Sequence, residues 1–296
     1  MTAVPPGAQT EEPQRRGRAP GPEGGVPPTE GRTETAPVRR TARPAPPRLY
    51  RAGQVTQLDR MPPPERAITL IVDGEELATV ACSPHRVLAL ALGFLRVEDI
   101  IQTAEDVELM EVCDEETVVK VRLARTARRV PHDRKRILTS GCGRGVTFSL
   151  DVVPVPSSEA GGMAVRPEQL MEWMEALLER AEGYREHGGT HTAGLFGPGG
   201  LEVYVEDIGR HNTIDRIAGE AILRDLPTAG KAILTSGRIS SEMLVKCSRL
   251  GVGIAASRTS PTELAVSLAQ EANVAVCGYV RRDQLRIFHD AGRVLT

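Results

Sequence analysis

The chain has 296 residues, long enough for one large domain or two smaller ones, and a hydrophobic content of 40% can supply a substantial core. The formal net charge is −2, so composition gives no support for nucleic acid or an acidic surface as a partner. Five cysteines, an odd number, do not suggest a disulfide framework, and neither a signal peptide nor an apolar run of membrane-spanning length is seen. We therefore expect a protein of the reducing cytoplasm.

The N-terminal segment, residues 1–48, differs in composition from the rest. Half of the 22 prolines fall there, mixed with Gly, Arg, Thr and Glu. Such a segment buries too little apolar surface to offset the entropy of ordering it. We predict a disordered, solvated arm, although its arginines could also contact a partner.

Two pairs of strands are predicted next. Residues 67–72 and 77–82 are apolar and β-branched, and the Asp-Gly pair at 73–74 between them is a hairpin signal. Two further strands are expected at 107–113 and 117–123. These elements make up a predicted N-terminal α+β portion over residues 49–136.

One helix is predicted inside this portion. Ser83 and Pro84 suit the N-cap and first position of a helix. Residues 87–95 are apolar almost all round, which predicts a buried helix. The segment 124–135 is basic and favours a solvated loop, with an anionic ligand or partner as the alternative.

The remainder, residues 137–296, predicts a second, α/β domain. An amphipathic helix is expected at 166–182, and a strand follows the glycine pair at 188–189. Further strands are predicted at 201–206, 232–235, 253–256 and 274–278, and helices at 211–224, 239–250 and 261–271. Strand–helix alternation at this spacing argues for α/β layers.

Cys142 stands on a turn of small residues that follows an apolar run. Glycines at positions 141, 143 and 145 open the backbone, and Arg144 lies two residues away. A thiol on an exposed turn beside a cation ionises more readily, and the thiolate is the reactive form. The alternative is a buried, inert thiol. The other four cysteines fall in predicted strands or helices and are interpreted as small core residues: Cys82, Cys113, Cys247 and Cys277.

A polar constellation, residues 206–215, lies at a strand-to-helix junction. In open α/β sheets, ligands bind beyond the carboxyl ends of the strands. His211 and Asn212 would lie at the helix N-terminus, where backbone N–H groups favour anions, and Arg210 can make bidentate contacts with phosphate. A helix-capping and salt-bridge cluster explains the same residues equally well.

A second glycine-centred turn, residues 234–241, places Ser236, Arg238 and Ser240 beside another helix N-terminus. This turn and the similar one at Cys142 could face one cleft and hold a ligand with phosphates. Ordinary turn and capping chemistry is the alternative. The sequence supports few other site types. Pro-Cys-x-x-Cys, Walker A and Gly-x-Ser-x-Gly are all missing, and glycines between His187 and His191 argue against a helical zinc pair.

Taken together, the motifs resemble the formate dehydrogenase accessory sulfurtransferase family, FdhD. The resemblance covers residues 67 to the C-terminus. It rests on blocks in the expected order: Leu90–Leu95, Thr139–Gly143, Gly189–Phe196, Glu206–Asn212, Thr235–Met243 and Ala256–Thr262.

The resemblance implies a sulfur carrier and a fold. Family members accept persulfide sulfur from a cysteine desulfurase and pass it to the bis-molybdopterin guanine dinucleotide form of the molybdenum cofactor before that cofactor enters formate dehydrogenase. The implied fold is a cytidine-deaminase-like α/β/α sandwich without zinc, and the implied assembly is a homodimer. Cys142 becomes the expected persulfide carrier. The implied cofactor-binding segment is Tyr279, Val280, Arg281, Arg282, Asp283 and Gln284, to which the polar turns add Arg210, His211, Ser236 and Arg238.

One departure from the family affects the mechanism. Many relatives carry Cys-x-x-Cys at the active loop, whereas Gly145 occupies the second position here. A two-thiol relay is therefore excluded within the loop, but a single persulfide on Cys142 remains chemically sufficient. The loss of the second thiol favours an alternative, a chaperone that holds the cofactor without moving sulfur. A nucleoside deaminase is disfavoured because the zinc ligands are missing.

Overall fold

A computed structural model describes residues 44–113, 117–125, 137–138, 146–147, 149–158 and 162–296. The predicted reactive turn, residues 139–145, lies outside the described residues, as does most of the basic segment. Of the predicted disordered arm, only the last five residues are described.

The described residues of the N-terminal portion form six strands and one α-helix. They are β1 (Arg48–Arg51), β2 (Gln54–Gln57), β3 (Arg66–Val72), β4 (Glu75–Cys82), α1 (Val87–Val97), β5 (Val107–Cys113) and β6 (Val118–Leu123). Strands β3 to β6 form a four-stranded sheet in the order β4-β3-β6-β5, which confirms the four predicted strands. Gly74 has φ +88, the left-handed conformation that the turn between β3 and β4 requires. The hairpin of β1 and β2 was not predicted.

The predicted start of α1 at Ser83 and Pro84 is wrong. The helix begins at Val87, after Arg86 in the left-handed conformation, and no side chain caps it. The Ser83 side chain is used elsewhere, since its Oγ accepts a hydrogen bond from the backbone N–H of Ile208 at 3.1 Å. The serine that was predicted to cap the helix thus forms a hydrogen bond that links the end of β4 to residue Ile208, distant in the sequence. The burial predicted for the helix is confirmed, because nine of its eleven residues are buried.

The C-terminal portion contains the larger sheet. Its strands are β9 (His191–Gly197), β10 (Gly200–Asp207), β11 (Ala232–Thr235), β12 (Ile254–Ser257), β13 (Ala275–Gly278) and β14 (Arg286–His289). Its helices are α2 (Pro167–Glu179), α3 (Glu182–His187), α4 (Arg210–Leu223), α5 (Ser241–Arg249) and α6 (Glu263–Ala272). The sheet order is β10-β9-β11-β12-β13-β14, with β11, β12 and β13 parallel. A short pair, β7 (Ile137–Leu138) and β8 (Val146–Thr147), is joined by residues 139–145.

Helices cover both faces of this sheet. Alternate residues of β11 point to opposite sides, Ile233 toward α4, α5 and α6 and Leu234 toward α2. The predicted α/β class is therefore confirmed, with three layers. The predicted helix at 166–182 ends at Glu179, and a separate short helix follows.

Helices α1 and α4 cross at very short range. A Cβ atom built on Gly93 would lie 1.6 Å from the backbone oxygen of Asp215, and one built on Gly219 would lie 1.8 Å from that of Ala89. Only glycine fits at these two positions. Because α1 also packs on the four-stranded sheet, this crossing joins the N-terminal portion to α4. The domain boundary near residue 136 stays a prediction.

Candidate functional site

Four strands of the large sheet end at one edge. Strands β11, β12 and β13 are parallel, and β10 runs in the same direction because β9 is antiparallel to both β10 and β11. The turns that follow these strands carry the two polar constellations and the segment 279–284. This is the edge at which α/β proteins bind their ligands.

Hydrogen bonds join the turns at this edge into one frame. Ser257 Oγ donates to the backbone oxygen of Gly237 at 2.6 Å, and the N–H of Tyr279 donates to the oxygen of Thr259 at 2.8 Å. The N–H of Val280 donates to the oxygen of Ser257 at 3.0 Å. The three turns therefore hold fixed positions relative to one another.

The N-terminus of α4 lies against the turn after β11. A Cβ atom on Gly237 would approach Cβ of Arg210 to 2.8 Å and Nδ1 of His191 to 3.4 Å. The structure thus brings Arg210 next to the turn that carries Ser236 and Arg238. Arg210 is buried, Ser236 is half-buried and Arg238 is exposed. Ser236 Oγ accepts a hydrogen bond from the N–H of Thr192 at 2.9 Å, so it also fixes β9.

The first two acidic residues of the first constellation, Glu206 and Asp207, are structural. Asp207 is fully buried and its Oδ2 accepts a hydrogen bond from Nε of Arg216 at 2.7 Å. Its Oδ1 accepts from the side chain of Asn212 at 2.8 Å. Glu206 accepts the N–H groups of Gly183 and Tyr184 at the start of α3. For these residues the capping and ion-pair interpretation is the correct one.

His211 is buried and connected to α5. Its Nε2 lies 2.9 Å from Oγ of Ser240 and 3.5 Å from Oε2 of Glu242. Burial lowers the pKa of His211 to about 4, a shift that Glu242 opposes and that Lys246 and Arg210 reinforce. The imidazole is therefore neutral at pH 7. Ser240 also caps α5 by accepting the N–H of Met243 at 3.5 Å, as capping chemistry predicts.

Three of the six residues in the predicted segment Tyr279–Gln284 line a cavity of about 330 Å³. Val280, Arg281 and Arg282 form one wall, and Arg258 from the turn after β12 contributes to it. Helix α2 supplies the opposite side through Met171, Met174, Glu175, Leu178 and Glu179. Asp283 and Gln284 are exposed beyond this wall, and Tyr279 is half-buried at the left-handed φ of +52.

The chemistry of the cavity suits an anion that carries an apolar or planar group. The thioether side chains of Met171 and Met174 give an adaptable apolar surface. Three arginines provide the fork-shaped donors that match phosphate. Arg282 Nε lies 3.7 Å from Oε1 of Glu175, an exposed pair that water screens and that a ligand can displace.

The predicted core cysteines are in large part confirmed. Cys82, Cys247 and Cys277 are buried, and burial raises the pKa of each thiol to about 12. Such thiols stay protonated and unreactive at neutral pH. Cys113 is half-buried at the end of β5. Cys142 and Arg144 lie outside the described residues.

Several residues at this edge were not among the predicted site residues. His191 opens β9, and burial followed by the charge of Arg210 lowers its pKa. Arg258 lies in the block Ala256–Thr262 but was not singled out as a site residue, and the cavity side of α2 has no local motif. The signal for α2 is its amphipathic pattern, in which Met171, Met174 and Leu178 share one face.

Two kinds of feature are missing from the described part of the chain. None of its helices is long and apolar enough to span a membrane. Within the same residues, no three His, Cys, Asp or Glu side chains are grouped as a metal site would require.

The three-layer fold, with polar turns and a cavity at the carboxyl ends of its strands, defines an α/β protein with a candidate ligand site at that edge. A family model described as the FdhD/NarQ family matches residues 63–295. The chain belongs to this family.

Named relatives agree with this assignment. A sulfur carrier protein FdhD from Bacillus pumilus is 34% identical over 247 residues, which is 83% of this chain and 94% of that protein. The Listeria monocytogenes protein of the same name is 32% identical over 251 residues, 83% of this chain and 96% of the relative. A crystal structure described as a formate dehydrogenase accessory protein, from Desulfotalea psychrophila, matches with a TM-score of 0.69 at 23% sequence identity. The match covers 85% of this chain and 98% of the chain in that structure.

Proposed function

We propose that this protein is a sulfur carrier that serves the maturation of a formate dehydrogenase. Family membership carries the proposal, because the relatives named above are sulfur carrier proteins and match most of the chain. The proposed donor is a cysteine desulfurase, and the proposed acceptor is the bis-molybdopterin guanine dinucleotide cofactor. We also propose that the protein acts in the cytoplasm as a homodimer.

Cys142 is the proposed carrier atom. Three of the five thiols are held protonated by burial, which leaves Cys113 and Cys142 as candidates, and only Cys142 has the glycine turn and neighbouring Arg144. Its thiolate attacks the outer sulfur of the donor persulfide, so a new S–S bond forms on Cys142 while the donor cysteine leaves as a thiolate. Handing that sulfur on restores the Cys142 thiolate. The outer sulfur is transferred in the sulfane oxidation state. A metal that takes it up as sulfide therefore supplies two electrons.

The carrier step is tested by intact mass spectrometry after incubation with a cysteine desulfurase and cysteine. We expect a gain of one sulfur that reduction removes, that is absent in Cys142→Ala and that persists in Cys113→Ala. No gain in the wild-type protein, or a gain that survives in Cys142→Ala, would refute the assignment.

Arg258, Arg281 and Arg282 are proposed to hold the phosphates of the cofactor substrate. The cavity between them and α2 supports this proposal, since it joins cationic donors to an apolar surface. The protein has a single tryptophan, Trp173, on α2 next to Met174, so its fluorescence can report binding. GDP, which contains the base, ribose and diphosphate of the dinucleotide end, is a suitable probe.

We expect GDP to change Trp173 fluorescence. Arg281→Gln and Arg282→Gln combined should weaken GDP binding about tenfold or more, because charged hydrogen bonds are lost. Arg122→Gln, an exposed arginine on β6, is the matched control and should bind like wild type. Equal affinity in all these variants would remove the cavity from the proposal.

A cofactor chaperone is the second candidate, favoured by Gly145 in place of a second thiol. The two functions differ in the Cys142→Ser variant. Maturation of active formate dehydrogenase by that variant would support the chaperone and exclude the carrier.

A further inference from the structure

A second cavity, of about 560 Å³, lies at the end of α4 that is remote from the carboxyl edge of the large sheet. The end of α1, the single 3₁₀ turn Ala104–Asp106, the C-terminal half of α4 with the turn that follows it, and Leu250 after α5 enclose it. Its wall on α4 begins at Ala218, which lies about 12 Å along the helix axis from Arg210, because an α-helix rises 1.5 Å per residue. The cavity is therefore separate from the one that α2 borders.

The floor of this second cavity is apolar. Ala218 and Ala221 of α4 are small and buried, which leaves the recess, and Leu226 and Leu250 close it. Two hydrogen bonds fix the turn after α4, since the N–H of Leu226 donates to the oxygen of Ala221 at 2.8 Å and Thr228 Oγ1 donates to the oxygen of Leu250 at 2.6 Å. The recess is thus part of the folded framework, and it suits an aliphatic group.

Arg96 brings a cation to one wall of the cavity. It is half-buried, and its Nη2 donates to the backbone oxygen of Arg249 at 3.1 Å. Among the residues that the structure describes, this guanidinium has no carboxylate within 4 Å, and burial lowers its pKa while the more distant Asp99 acts in the opposite direction. A guanidinium that is shielded from water and has no paired carboxylate gains more from an anionic ligand than an exposed one does.

Two carboxylates, Glu105 and Asp225, line the same cavity and are exposed. A hydrogen bond from the Thr103 side chain lowers the pKa of Glu105, so this group is ionised at pH 7. Asp225 has φ +50, a left-handed conformation that a short polar side chain tolerates, and it follows the end of α4 directly. A lining with one guanidinium and two carboxylates disfavours a polyphosphate and suits a ligand that carries both a carboxylate and an ammonium group.

Two described residues that flank the segment bearing Cys142 are attached beside this cavity. The N–H of Ala124 donates to the oxygen of Asp106 at 2.9 Å, next to the 3₁₀ turn of the wall. Nη2 of Arg249 donates to the oxygen of Ser149 at 3.1 Å, next to the wall at the end of α5. A ligand in the cavity is therefore a neighbour of both attachments.

We propose that this second cavity binds a small zwitterion of the amino-acid class, either a free amino acid or a short peptide. The carboxylate of the ligand pairs with Arg96, and its ammonium group pairs with Glu105 and Asp225. Its aliphatic side chain packs on Ala218 and Ala221 of α4. Binding requires neither a sulfur donor nor the cofactor substrate.

Isothermal titration calorimetry of the full chain at pH 7 tests the site with three ligands of the same aliphatic shape. L-leucine carries both charged groups, isocaproate lacks the ammonium group, and isoamylamine lacks the carboxylate. We expect leucine to bind about tenfold or more tightly than either analogue, because each analogue loses a hydrogen bond between charged groups.

Variants of the three charged residues assign each end of the ligand. Arg96→Gln should remove the advantage of leucine over isoamylamine, and the double variant Glu105→Gln, Asp225→Asn should remove its advantage over isocaproate. Asparagine also adopts the left-handed conformation, so the turn at Asp225 is retained. Glu271→Gln, an exposed carboxylate on α6, is the matched control and should bind leucine like wild type.

A merely structural role for these residues would weaken all three ligands alike, so the change in preference is the decisive measurement. Leucyl-leucine separates the two sources of the ligand: tighter binding than leucine, with the same dependence on the variants, indicates a peptide, and weaker binding indicates a free amino acid. No binding of leucine or its dipeptide, or an affinity for leucine no better than for the analogues, would overturn the proposal.

GDP gives a further control, because the two cavities are separate. Saturation with GDP should leave the affinity for leucine unchanged, and competition between them would also overturn the proposal. Cys142→Ala should retain leucine binding, so sulfur transfer and the zwitterion site fail separately.

Discussion

Replacing Gly93 with alanine should destabilise the protein through the α1–α4 crossing. The new methyl group would lie 1.6 Å from the Asp215 backbone oxygen, so the helices must separate by about 1.4 Å to reach the 3.0 Å that is the shortest real contact. No side-chain rotation relieves this overlap, because the opposing atoms are backbone. Overpacking costs about 1–3 kcal/mol and sometimes more, and a backbone contact belongs at the upper end.

Helix propensity opposes this cost, since alanine is favoured over glycine by about 1 kcal/mol in a helix interior. We expect a net loss of about 2 kcal/mol in the free energy of unfolding. At about 2–4 °C per kcal/mol for a protein of this size, the thermal midpoint should fall by roughly 4–8 °C.

Urea denaturation followed by circular dichroism measures the change. Gly199→Ala is the matched control, because its Cβ meets nothing within 4 Å, and it should stay within about 0.5 kcal/mol of wild type. A Gly93→Ala protein as stable as this control would refute the view that the crossing has no room for a side chain.

Three further predictions concern stability. Asp207→Asn should cost about 3–5 kcal/mol in denaturation, because it leaves Arg216 charged and buried without its partner, and a loss below 1 kcal/mol would contradict this view. Ser240→Ala should cost about 1 kcal/mol by removing the cap of α5, whereas Ser240→Asn, which restores a cap, should recover part of it. Between pH 4 and 6.5 Asp215, whose pKa burial raises to about 7, is protonated in the folded protein but ionised in the unfolded chain, so its contribution to the free energy of unfolding falls as pH rises. His211 is neutral in the folded protein but protonated in the unfolded chain, so its contribution rises with pH. Relative to wild type, the free energy of unfolding of His211→Gln should therefore fall by about 1 kcal/mol per pH unit as pH rises, and that of Asp215→Asn should rise. Variants whose stability changes with pH in parallel with wild type would exclude both pKa shifts.

Regular elements with strong local signals were predictable from the sequence. The strand at 232–235 and the Asp-Gly turn at 73–74 were predicted where they occur, because hydrophobic runs and turn chemistry act over a few residues. Ser83 was predicted wrongly, because a hydroxyl that can cap a helix can equally accept a hydrogen bond from a strand more than 120 residues away. Strand β14 was missed because its residues are exposed and show no alternation of burial.

The candidate site was predictable only as separate pieces. Each glycine-centred turn shows its own polar residues, but their common edge follows from strand order, which depends on long-range pairing. Arg258 and the methionines of α2 become neighbours of Val280 through that order alone. The buried ion pair between Lys246 and Asp215 has the same origin, since the aspartate belongs to a different helix. The state of Cys142 stays a prediction from its glycine turn.

The hydrogen bonds that join the turns at the carboxyl edge also bear on how the binding preference can evolve. They use backbone groups and the Ser257 hydroxyl, whereas the guanidinium groups of Arg238 and Arg282 extend outward as exposed side chains. If the cavity binds the proposed substrate, exchange of such an outer residue would alter what is recognised and leave the supporting bonds intact. The preference of the proposed site would then be separable from the stability of its scaffold.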